Sequence, residues 1–436
     1  MIQNAASYIA ENNDGNTTIF NSLSWERTAV ITTPESNKSI LVKLPPCGYA
    51  DVSTAQVKIT ADEAARATLT SGKAVLENGI IRAELNKNGE VVSFKLKESD
   101  CEYASEAMNR FAMFKDVPRL FDAWDIDSMY EQEPVDLDPA AEITLLYSTD
   151  IKAAVQIKKK IGNSTLKQKV SLCAHSRRLE FDTTVEWNEL HRLLKVCFPV
   201  NVKADEAINE IQYGYIKRPS HRSRSYDKDR FEVCNHRYTA LCDENHGAAV
   251  LNDCKYGVST LGNEISLTLL RAAASPEMRT DNGTQRFTYA FTAWEGSFYT
   301  SPVVREGYEL NTPPLVIGGA SKEIAKDKSK VPAENKSYFW LEDDGNIILD
   351  TVKQAEDGSG DIIVRLYESK RASCSSTLHT NLQISKATIT DMLENNIEPL
   401  EVKQGDAGQE TSEQNSIKLH FNPFEVKTIR LHQKGS

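Results

Sequence analysis

Residues 80–96 read Ile-Ile-Arg-Ala-Glu-Leu, then Asn-Lys-Asn-Gly, then Glu-Val-Val-Ser-Phe-Lys-Leu. Two β-favouring runs around an Asn-Gly pair predict a hairpin, because Asn and Gly tolerate the positive φ that a tight turn between twisted strands requires. The same grammar recurs at 143–147, 153–157, 179–185, 265–270, 287–291, 362–367 and 426–431, each run bounded by Gly, Pro, Asn or Asp. Long amphipathic helical patterns are scarce. A sheet with one apolar face buries it against another sheet, so the chain is expected to be all-β, built of packed sheets.

At 436 residues the chain is long enough for two to three domains. Breaks are expected near 70–73, at Thr-Ser-Gly-Lys, and across 311–336, rich in Pro, Gly and Lys. The predicted units are residues 1–12, a helical tail that starts without a capping signal; 13–75, a small β domain; 76–310, a large two-sheet sandwich; and 315–436, a C-terminal β domain with a polar loop at 403–415. Lys and Arg total 51 against 62 Asp and Glu, a net charge of −11, which repels a phosphate backbone and argues against nucleic acid as a partner. No apolar run is long enough to span a membrane, and the first fifteen residues lack the basic and apolar regions of a secretion signal. A cytoplasmic protein with reduced core thiols is expected, since its eight cysteines show no framework spacing.

Three clusters offer chemistry. Cys234, His236, Cys242 and His246 contain four potential zinc ligands, but their spacing matches no closed zinc module, and a core thiol beside a hydrogen-bonded histidine is the favoured reading. Phe121-Asp122-Ala123-Trp124-Asp125-Ile126-Asp127 has the composition of a sugar site, with carboxylates for hydroxyls and an indole for C–H faces; the alternative is a turn with Asx caps over a buried Trp. Residues 212–238 concentrate Arg, His, Asp and Tyr without a continuous apolar face, as either a functional loop or a solvated excursion does, and long irregular loops lean functional. No nucleophile elbow, phosphate loop or H-E-x-x-H motif is present.

Several segments together resemble one family. They are Phe20 to Thr28, Phe121 to Asp127, Trp187-Asn188-Glu189 with Leu193-Leu194-Lys195, Arg218-Pro219-Ser220-His221, Asn252 to Gly257, Leu267-Thr268-Leu269-Leu270-Arg271-Ala272, Asp281-Asn282-Gly283, Phe287 to Ala290 and Asn422-Pro423-Phe424-Glu425. In this order they are similar to the C-terminal region of family 38 α-mannosidases, cytosolic and bacterial branch, over essentially the whole chain. Departures occur at Arg222 to Asp227 and at Ala293-Trp294-Glu295, where the family more often has Asn-Thr-Ser-Trp-Asp and Pro-His. The resemblance implies a large mutarotase-like supersandwich flanked by smaller β domains, residues 1–12 being the end of a helical bundle. It also implies that the zinc ion and nucleophile of a retaining mechanism belong to an N-terminal barrel outside this chain, so that no metal and no catalytic residue is expected here. The expected partners are that barrel, a mannose-containing oligosaccharide and, in an oligomer, further copies of the chain. Arg271 is the leading candidate for the sugar pocket, its alternative being a strand-end salt bridge. Asp125, Asp127, His221 and Asp281 are candidates for the rim. Two other classes are a stand-alone carbohydrate-binding module using Trp124 and Trp294 as platforms, and an aldose epimerase using His221 and Glu232.

Overall fold

A computed structural model of the protein describes residues 17–33, 38–317, 336–342, 345–404 and 415–433; the helical tail expected at 1–12 lies outside them. The chain is all-β, and divides into two compact units: residues 59–211 with 215–311, and residues 1–58 with 212–214 and 312–436. Among the described residues no helix is long and apolar enough to cross a membrane.

The larger unit holds three sheets. A five-stranded meander runs from Arg66 to Glu102, and includes the predicted hairpin as Ile81–Leu85 and Val91–Leu96. Its turn is closed by the Asn86 side chain, whose Oδ1 accepts from Asn88 N at 2.9 Å and Glu90 N at 3.1 Å. Gly89 there has φ of 80° and faces Ile157, 2.9 Å from where a Cβ would sit, so only glycine fits both the turn and the packing. The break expected near 70–73 is instead a hairpin turn within this sheet, Thr70 pairing with Lys73, and the units part between Lys58 and Ile59.

The strands that position the site are β1 (Arg110–Lys115), β2 (Leu179–Trp187), β3 (Arg192–Pro199), β4 (Glu264–Arg271) and β5 (Gly283–Glu295). β1, β3 and β4 are neighbours in a six-stranded sheet, while β2 and β5 pair along their length at the centre of a nine-stranded one. In β2, Leu179, Phe181, Val185 and Trp187 are buried and alternate with more exposed residues, the signature of a half-covered strand. All three sheets contribute to one core: Phe94 from the meander meets Phe291 of β5 edge-on at 4.8 Å, and Phe291 stacks on Phe198 of β3 at 5.6 Å. Inside it lies a polar chain. Tyr289 Oη donates to Asn109 Oδ1 at 2.7 Å, Asn109 Nδ2 donates to Gln168 Oε1 at 2.8 Å, and Gln168 Nε2 returns to Tyr289 Oη at 2.8 Å. Closing that ring leaves those three side chains paired, as buried polar groups must be.

Two cores are seen among the described residues of the smaller unit. Ile19, Ile31, Val42, Leu44 and Ala50 pack where Thr18–Asn21 pairs with Gly48–Asp51 and with Leu315–Ile317. Val364, Leu366, Leu378, Phe421 and Leu431 fill a core shared by a three-stranded and a five-stranded sheet.

Candidate functional site

Arg271, the last residue of β4, has its guanidinium turned under the loop that follows β1. Nε donates to Asp116 Oδ2 at 2.7 Å, and Nη2 lies 2.6 Å from the same oxygen. Nη2 also donates to the backbone oxygens of Asp122, at 3.1 Å, and of Asp125, while Nη1 is 3.4 Å from that of Ala123. The planar fork thus spans one carboxylate and three carbonyls, a geometry a lysine cannot reproduce. The backbone of Arg271 is fixed in turn by the indole of Trp187, which donates to its carbonyl at 2.8 Å.

Asp116 is 3% exposed on its side chain and shares its second oxygen with Asp127 N at 2.8 Å. Asp122 Oδ2 accepts from Ala274 N at 2.8 Å and Ser275 N at 3.2 Å, fastening the loop to the segment after β4, and its Oδ1 lies 3.7 Å from His191 Nδ1. His191 joins both neighbours through its backbone, donating to Ala272 O and accepting from Asp116 N. Held from below in this way, the loop presents Phe121, 67% exposed, and Trp124, 71% exposed, to solvent. Large exposed aromatics over a rigid polar base suit a flat ligand face or a partner surface.

Arg271, Asp125 and Asp127 therefore come together, Asp125 by its carbonyl and Asp127 through Asp116. Asp281 is exposed in the turn before β5, where its neighbour Asn282 exchanges hydrogen bonds with the backbone of Glu189 at 3.2 and 3.0 Å. His221 is exposed on another loop, with Nδ1 2.9 Å from Ser223 Oγ. That loop is tied to the first by Arg222, which donates to both oxygens of Glu131 at 2.7 Å and holds the Glu131 carboxyl below its usual range. Sequence reading missed Asp116, Asp122 and His191; of these only Asp122 lay in a motif it singled out.

The Asp-rich segment combines features of both alternatives: Asp127 Oδ1 caps Met129 N at 2.9 Å, yet Trp124 is exposed rather than buried. Glu232, named for the epimerase reading, is committed elsewhere. It accepts from Lys195 Nζ at 2.5 Å and from Thr268 Oγ1, with both charged side chains less than a tenth exposed. Cys234 is not the core thiol expected: it is exposed, with its carbonyl accepting from Arg218 Nη1 at 3.0 Å. Cys47 does fit that description, with burial pushing its thiol up to about 12. Among the described residues no three His, Cys, Asp or Glu side chains gather as metal ligands.

The fold recurs in known proteins. Residues 76–279 match the glycosyl hydrolases family 38 C-terminal domain, and residues 346–429 the family 38 C-terminal beta sandwich domain. The chain is 35% identical over 425 residues to alpha-mannosidase 2C1 of Homo sapiens, covering 95% of this chain and 39% of that protein. Alpha-mannosidase G of Dictyostelium discoideum is 32% identical, with 94% and 40% covered. An alpha-mannosidase structure from Enterococcus faecalis V583 superposes with a TM-score of 0.75 at 15% identity, over 98% of this chain and 58% of that one. The chain belongs to the C-terminal region of glycosyl hydrolase family 38. It spans about two-fifths of the length of the relatives it matches.

Proposed function

We propose that this chain is the β-sandwich portion of a retaining, zinc-dependent, cytoplasmic enzyme that hydrolyses terminal α-mannosides, and that it forms one wall of the sugar pocket. The observation that carries the reading is the Arg271-held loop. A guanidinium grips the loop's main chain while Trp124 and the exposed carboxylate of Asp125 face outward, giving a stacking surface beside hydroxyl acceptors. Retention requires two carboxylates close to the scissile bond, and the metal engages sugar oxygens as a Lewis acid. In this reading both belong to the part of the relatives' length that this chain does not span. His221 and Asp281 serve as rim residues on the flanking loops. The module reading loses one of its two stacking platforms, since the ring of Trp294 is 1% exposed and leaves no face for a sugar to lie on.

The test is hydrolysis of p-nitrophenyl α-mannoside with zinc or cobalt supplied. The isolated chain is expected to be silent, whereas a chimera carrying it in place of the matching region of human alpha-mannosidase 2C1 turns the substrate over. Trp124→Ala in the chimera raises KM with a smaller effect on kcat. Turnover by the isolated chain overturns the reading.

A further inference from the structure

The opposite end of β5 carries a second constellation. Gly283 begins the strand beside the loops just described, and Trp294 stands eleven residues on, roughly 35 Å away at the usual rise per residue. Here a cavity of about 440 Å³, within the range of small-ligand sites, is lined among others by Ile80, Leu96, Glu98, Arg177, Trp294 and Glu295. Trp294 is 1% exposed, and its indole N–H has no hydrogen-bond partner among the described residues. A buried donor left unpaired is uncommon and is often the mark of a missing ligand or water. The ring is held by its cross-strand partner Gly247, where a Cβ would lie 2.2 Å from Trp294 Cζ2.

We propose that this cavity binds a neutral polyhydroxylated small molecule, a saccharide. Glu98 and Glu295 are exposed carboxylates with no hydrogen bond or ion pair among the described residues, and so call for donors. The indole and Arg177, whose nearest carboxylate oxygen, on Glu306, is 4.0 Å away, call for acceptors. An ammonium ligand satisfies the first pair and leaves the second without partners; a carboxylate or phosphate ligand does the reverse against two like charges. A hydroxyl both donates and accepts without charge, and several on one ring satisfy all four groups at once. Ile80 and Leu96 supply the apolar floor for its C–H faces.

This inference is independent of the pocket-wall reading, because its test measures binding and not turnover. The indole resonances of ¹⁵N-tryptophan-labelled chain are followed during titration with D-mannose, D-glucose, spermidine and glycine, that of Trp294 being identified by its loss in Trp294→Phe. Mannose or glucose is expected to shift the Trp294 signal, and Glu98→Ala with Glu295→Ala to weaken binding about tenfold, as loss of hydrogen bonds to charged groups does. Spermidine and glycine are expected to leave the signal in place. Neither sugar shifting it, a larger shift with spermidine or glycine, or unchanged sugar affinity in the double variant overturns the proposal.

Discussion

Arg271 shows how one residue type settles a local structure. Its partners lie 146 to 155 positions away in the chain, so the motif Leu-Leu-Arg-Ala marked the arginine while nothing nearby marked Asp116. The two sequence-level alternatives, pocket arginine and strand-end salt bridge, describe different ends of the same arrangement: the salt bridge exists, and it supports the loop proposed as a pocket wall. Substituting Arg271→Met leaves the Asp116 carboxylate buried beside empty space, and is expected to destabilise the chain by about 3 kcal/mol, the scale for orphaning a buried charge. Adding Asp116→Asn recovers part of that loss. Urea unfolding of the single and double variants measures both, and an additive double variant excludes coupling between the two residues.

Among the elements, strands were legible because their side chains alternate with period two, and the hairpin at 81–96 fell where its Asn-Gly turn placed it. Pairing between distant strands was not legible. The turn at Ser71-Gly72 resembled a domain break because punctuation between strands and punctuation between domains use the same residues. The short helix Val303–Asn311 carries a further consequence. Glu306 in its first turn is buried, its Oε2 has no hydrogen-bond partner among the described residues, and burial holds its carboxyl above the usual 4.5 despite the pull of Arg178 and Arg177. A raised folded-state value means the fold prefers the protonated acid. The stability this group contributes is thus complete below about pH 4.5, and is lost as pH rises through the folded value. Glu306→Gln is expected to raise the urea midpoint at pH 8 and to converge on the parent protein as pH falls toward 4.5. Equal midpoint differences at both pH values contradict this assignment.

For the whole molecule, the separate cores of the two units predict separable unfolding. Calorimetry is expected to show two transitions. Phe198→Ala, which removes a ring stacked within the large core, lowers only one of them, by about 3–5 kcal/mol; Leu431→Ala lowers only the other. The grouping of 312–436 with the first 58 residues was hidden from a linear reading, because Thr18 pairs with Ile317 across a stretch of sequence that contains the whole of the larger unit. Local pattern reports which residues form strands, and loop closure over such a span leaves no local trace.

The clamp under the Asp-rich loop touches main-chain oxygens at 122, 123 and 125, and its side-chain carboxylates are those of Asp116 and Asp122. Every amino acid supplies a carbonyl. The outward positions Ala123, Trp124 and Asp125 are accordingly free to be rewritten while the scaffold beneath them stays put, so a library randomised at those three sites and fixed at Asp116, Asp122 and Arg271 separates the evolution of recognition from the maintenance of shape.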